Sequence, residues 1–132
     1  MSDQNERQRV FGNSKYGRTM GFSKAVRVGD FIYVAGCNAL NEKGEIIPSV
    51  DSYEQAKKSI QNVESALKEL GGSLKDVVRT RVYVGPATDW RAVGKAHGEF
   101  FGETMPASTF LFTNFFSDPR LMVEVEADAI VQ

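Results

Sequence analysis

One stretch limits the architecture more than any other: Leu121 to Val131 reads LMVEVEADAIV. In a strand, successive side chains point to opposite faces. Val123, Val125, Ala127, Ala129 and Val131 therefore line one face, and Glu124, Glu126 and Asp128 line the other. Such a strand packs its apolar side on a core layer and turns three carboxylates away from it. Those acids must look at water, at cationic partners or at a ligand.

The 132 residues suffice for one domain, residues 1–132, with one core that buries roughly two-thirds of the unfolded surface. Sixteen basic against seventeen acidic residues leave a net charge of −1, a balance that argues against a dedicated nucleic-acid binder. The start, MSDQNERQRV, has no apolar core segment, and no apolar run approaches the ~18 residues a span requires. A cytoplasmic protein with no membrane partner is expected. One cysteine, Cys37, and one histidine, His97, exclude a disulfide framework and leave a Cys/His zinc site short of ligands. No metal and no cofactor are expected.

Along the chain, RVFG reads as a short strand and GNSKYGRTMG as irregular. SKAVRV and FIYVAG form a hairpin across Gly29 and Asp30, because such two-residue turns use positive φ. Cys37 to Val50 reads as a long loop. Asp51 and Glu54 have capping-box spacing, Ala56, Ile60, Val63, Leu67 and Leu70 recur at helical intervals, and Gly71 and Gly72 supply the stop. VVRTRVYV alternates as a strand with Arg79, Arg81 and Tyr83 on one side. Asp89 caps a second helix with Trp90, Val93, Ala96, Phe100 and Phe101 on its buried side. STFLFTNFF and LMVEVEADAIV complete the order β, β, β, α, β, α, β, β: an α/β fold with a single mixed sheet and two helices on one face. STFLFTNFF is apolar on both sides, Phe110 and Phe112 on one and Leu111 and Phe115 on the other. Two helices cover one layer, so Phe110 and Phe112 are expected to lack cover until another subunit meets them.

Several motifs carry potential chemistry. GNSKYGRT lies one residue from a P-loop, with Arg18 in the lysine position, but it feeds a strand hairpin instead of a helix and reads as a basic loop. Cys37 has no base beside it in the sequence and reads as a buried bystander. His97, at the edge of an apolar stripe, reads as a locally hydrogen-bonded histidine. Gly94 and Gly98 together cost their helix about 2 kcal/mol relative to alanine, which predicts close approach of another backbone or of a ligand. The three acids pair with Arg79 and Arg81 in a cross-strand ladder, or else one of them, if buried, activates a water for attack on an electrophilic carbon.

GFSKAVRVGDFIYVAG, SYEQAKKSIQNVESALKELG, SLKDVVRTRVYV, AHGEFFG, MPAST and VEVEADAI together resemble the Rid family, also called YjgF or reactive intermediate deaminase, over nearly the whole chain. The resemblance implies a chorismate-mutase-like fold assembled as a homotrimer, with a small-molecule ligand in clefts between subunits. Deaminases of the family hydrolyse 2-enamine or 2-imine acids to 2-oxo acids and ammonia without a cofactor. By resemblance Glu124 is the water-positioning acid. The same resemblance makes Ser108, Gly36, Phe22, Cys37 and Phe110 the substrate-binding candidates. The carboxylate-clamping arginine that follows Pro-Ala in the family falls on Ser108, its tyrosine on Phe22, a glutamine on Cys37 and an asparagine on Gly94. The lost guanidinium contact is worth about 1.5 to 3 kcal/mol. Either the ligand lacks a carboxylate, or another cation such as Arg79 or Arg81 replaces the arginine, or deamination is lost. A Rid-like hydrolase is the first expectation, a non-catalytic metabolite binder the second, and RNA cleavage or translation inhibition the third.

Overall fold

The computed structural model describes residues 6–12, 16–114 and 116–132; Phe115 lies outside them. Six strands form one sheet in the order β1-β2-β3-β6-β4-β5: β1 Gln8–Val10, β2 Ala25–Val28, β3 Phe31–Cys37, β4 Val77–Val84, β5 Ala107–Phe112 and β6 Val123–Ile130. Helices α2 (Ser52–Glu69) and α3 (Trp90–Phe101) are the long ones, and a single turn, α1 (Gly17–Met20), interrupts the segment expected to be irregular. Only the β4–β5 pair is parallel, joined through α3; the other pairs are antiparallel.

The local chemistry follows the sequence closely. Asp51 accepts the Glu54 amide at 3.0 Å and opens α2. Ala56, Ile60, Val63 and Leu67 are buried along it, and Gly71, at φ +80°, releases the chain afterwards. Gly29, at φ +59°, makes the β2–β3 turn. Asp89 caps α3 through the Arg91 and Ala92 amides. Trp90 departs from expectation: it is exposed, with the Arg91 guanidinium over its ring. No helix among the described residues is long and apolar enough to cross a membrane.

The helices cover the sheet face made by Ile32, Val34, Val82, Val84, Val123, Val125, Ala127 and Ala129, all buried. The face expected to lack cover is a different one from that read in the sequence. Phe110 and Phe112 stand opposite Val82 and Val84, so they share the helix-packed side. Phe110 is half-buried against the core, while Phe112 protrudes at the edge, 70% exposed. Strand alternation separates two faces without saying which one the helices take. The open face instead presents Phe31, Tyr33 and Leu111, 49%, 51% and 43% exposed.

Both neighbours of β6 are irregular. On β3, Val34 pairs with Ala127 and Cys37 with Val125, so three steps on one strand meet two on the other. This bulge turns both Val34 and Cys37 into the core and leaves Ala35 and Gly36 on the opposite side. β4 carries a second irregularity between Val77 and Arg79.

Candidate functional site

The bulge on β3 creates the chemically distinctive place in the molecule. The Glu124 side chain crosses Gly36 so closely that a Cβ there would lie 2.5 Å from the Glu124 carboxyl carbon. Glycine is required by this contact, since any side chain would displace the carboxylate. Asn38 follows the bulge; its Nδ2 donates to Val123 O at 3.1 Å, and its amide is near enough to the Glu124 carboxylate to favour the charged form. Asn62 of α2 fixes that turn by donating to Asn38 O and Leu40 O at 2.8 and 2.9 Å.

From the other side Lys24, at the entry to β2, donates from Nζ to Gly36 O at 3.0 Å. Gly36 is thus held between an ammonium and a carboxylate. A cleft of about 580 Å³ opens over this corner, walled by Glu124, Gly36, Lys24, Phe22, Arg18 and Asn62. Phe22 is exposed at its mouth, and Arg18 stacks over Phe11 at 4.2 Å.

The electrostatics separate Glu124 from its strand neighbours. Burial raises its pKa above the ordinary carboxylate value, the Asn38 amide lowers it, nearby Glu126 raises it, and Lys24 pulls it back down. Glu126 and Asp128 lie on the same strand face but meet Arg81 at 3.6 and 3.5 Å, and Tyr83 Oη donates to Glu126 at 3.2 Å. The cross-strand ladder therefore exists, carried by Arg81, and Glu124 stands outside it. Arg81 is committed to that ladder, and neither Arg79 nor Arg81 lines the cleft; its cations are Lys24 and Arg18.

Of the candidates read from the sequence, the fold brings Glu124, Gly36 and Phe22 together. Cys37, the next residue after Gly36, turns into the core, where burial raises its thiol pKa and the Lys24 ammonium opposes that rise. Ser108 and Phe110 sit on β5, two strands from β6. There Thr80 Oγ1, fully buried, lies 2.8 Å from both Ser108 Oγ and His97 Nε2. Burial lowers the His97 pKa, and its ring packs on Phe101 and Phe110 with centroids 4.7 and 5.6 Å away. His97 is thus locally hydrogen-bonded, as its position in the apolar stripe suggests. Within the single chain nothing packs on Gly94 or Gly98: a Cβ at either would meet nothing within 4 Å. Lys24 and Asn38 are the residues that sequence reasoning missed. The available signal was a lysine immediately before the apolar start of a strand, two residues from Phe22.

Comparison with known proteins fits this architecture. The family model described as Endoribonuclease L-PSP matches residues 14–131. An uncharacterized protein of Streptomyces coelicolor is 37% identical over 123 residues, covering 92% of this chain and 90% of that one. The crystal structure of a member of the YjgF family from Mycobacterium tuberculosis superposes with a TM-score of 0.84 at 35% identity, covering 96% of this chain and 100% of that one. A mouse protein named 2-iminobutanoate/2-iminopropanoate deaminase is 28% identical over 102 residues, 76% of this chain and 75% of its own. Fold, motifs and matched span agree, and the chain belongs to the L-PSP/YjgF family, the group its motifs resemble under the name Rid.

Proposed function

We propose that this chain is a cofactor-independent hydrolase of small imines or enamines, with the Glu124 cleft as its reaction site. The observation that carries the reading is the state of Glu124: a half-buried carboxylate, of raised proton affinity, laid across Gly36 at the wall of an open cleft. A carboxylate of raised pKa is the better base, and one that is ionised at neutral pH can take a proton from a bound water. That water's oxygen attacks the carbon of the protonated imine, the C=N electron pair moves to nitrogen, and a neutral carbinolamine forms. Glu124 then returns the proton to the amino group; as the hydroxyl gives its own proton back to Glu124 its electrons close the carbonyl, the C–N bond breaks, and ammonia leaves. An enamine enters by protonation at carbon to give the imine. The printed name of the mouse relative describes such an imine deaminase.

The same reading takes the functional unit to be a homotrimer, because Phe31, Tyr33 and Leu111 leave an apolar open face on the single chain. Light scattering on the purified protein should give three times the chain mass; a monomer at micromolar concentration would refute it. The functional test is release of ammonia and 2-oxo acid from 2-aminoacrylate generated in situ, corrected for spontaneous hydrolysis. Turnover above background is expected.

A second reading, a small-metabolite binder without catalysis, draws on Ser108. Its hydroxyl is engaged with Thr80 at the position where the resemblance implies a clamping arginine. Saturable binding of 2-oxo acids with no turnover would favour it. RNA cleavage ranks third, given sixteen basic against seventeen acidic residues, and strongly salt-dependent RNA binding would promote it.

A further inference from the structure

We propose that Lys24 is the cation that holds the ligand's carboxylate in this cleft, so that anion recognition comes from β2, beside Glu124, instead of from the β5 edge. The inference rests on the hydrolase reading of the same site and narrows its substrates to small 2-imino or 2-enamino carboxylates.

Three observations carry it. First, Lys24 is a half-buried cation in a concave site. Among the described residues no carboxylate lies within the 4.0 Å that would make an ion pair with it. An ammonium has three donors. The structure points one at Gly36 O, 3.0 Å away, and the thiol of Cys37 is a further, weak neighbour. A partly desolvated charge in this state is stabilised by an incoming anion more than an exposed lysine would be. Second, the β4 arginines Arg79 and Arg81 do not line the cleft. Arg81 bridges Glu126 and Asp128, and Ser108, where the clamp is missing, accepts from Thr80, which also meets His97, on the helix-facing side of the sheet.

Third, the spacing suits the chemistry. In a 2-imino acid the carboxylate carbon and the electrophilic carbon are joined by one bond of roughly 1.5 Å. Lys24 and Glu124 flank a single residue, Gly36, one through its carbonyl and the other across its Cα. A carboxylate on Lys24 Nζ therefore presents the adjacent carbon to a water held by Glu124. Arg18 is a second cation on the cleft wall, which also holds the acids Glu69 and Glu124.

The test uses stable analogues, so it does not depend on turnover. 2-Oxobutanoate and its uncharged amide are titrated by calorimetry into wild type, Lys24→Met and Lys24→Arg. Wild type should prefer the acid, and that preference should weaken with added salt while amide binding stays constant. Lys24→Met should bind the acid roughly tenfold to hundredfold more weakly, leave the amide unchanged, and be largely rescued in Lys24→Arg. Equal affinity of wild type and Lys24→Met for the acid would overturn the clamp while leaving the cleft intact. Salt-insensitive acid binding to wild type would do so too, even if Lys24→Met failed to fold. Failure of wild type to bind either compound at millimolar concentration would overturn the cleft reading itself, and the clamp with it.

Discussion

The two ends of β6 present acids on the same face and treat them in opposite ways. At Glu126 and Asp128 the neighbouring strand offers Arg81, which reaches both, with Tyr83 adding a hydrogen bond to the first. At Glu124 the register is interrupted by the β3 bulge, the neighbour is Gly36, and the nearby positive charge is a lysine bonded to backbone instead of to the acid. The paired acids have their charge balanced within the sheet. Glu124 is desolvated without an ion pair, and its proton affinity rises. One strand thus separates ion-paired from unpaired carboxylates by what faces each position.

The greatest effect should come from filling the space that Gly36 leaves to the Glu124 carboxylate. Gly36→Val places carbon atoms where the Glu124 carboxylate now lies, so ligand binding and turnover should both fall to background while far-ultraviolet circular dichroism is unchanged. Retained turnover would mean that the carboxylate does not work from this position.

Next in size is the other end of the strand. Arg81→Met removes the shared partner of Glu126 and Asp128 and leaves two like charges facing each other. Stability should drop by about 1–2 kcal/mol, read by urea melts at fixed protein concentration. In the assembled protein kcat should change less than about threefold, and a loss comparable to that of Gly36→Val would erase the distinction between the two ends.

A smaller effect follows from the raised pKa of Glu124. The folded state binds its proton more tightly than the unfolded chain does. The charged form therefore carries a penalty, absent below the unfolded pKa and complete once the pH has risen through the folded one. Glu124→Gln should melt higher than wild type at pH 7, by roughly 1–3 °C because water still reaches the group, and the difference should vanish near pH 4. The corresponding change at Glu126 should lower the melting temperature at pH 7. Smallest of all, Cys37→Ala should keep at least half the turnover, since the buried thiol faces away from the cleft; stoichiometric inactivation by a thiol reagent that the variant escapes would contradict this.

Much of the fold is legible in the chain because it is encoded locally. The Asp51 cap, the apolar stripe from Ala56 to Leu70 and the Gly29 turn each depend on residues a few positions apart. The alternation of β6 likewise marks Glu124 as facing away from the core. What is not local is not legible. The side of the sheet taken by Phe110 depends on the pairing of β5 with β4, and the reach of Lys24 to Gly36 depends on the β2–β3 register and the bulge. Ser108 matched a family position in sequence, yet in the single chain its hydroxyl is directed to Thr80, away from Glu124. The surroundings that distinguish Glu124 from Glu126, Gly36 and Lys24 for one and Arg81 for the other, appear only once the strands are assembled.

The most direct test compares Glu124→Gln with Glu126→Gln in the 2-aminoacrylate hydrolysis assay, each at a concentration where its oligomeric state matches wild type. Both changes remove one charge from the same strand face and keep the side-chain shape, so only the difference in surroundings separates them. Loss of a positioned base should lower kcat of Glu124→Gln by about a hundredfold or more, with Glu126→Gln within about threefold of wild type. Full turnover in Glu124→Gln, or equal losses in the two variants, would contradict the assignment of Glu124 as the group that holds the attacking water.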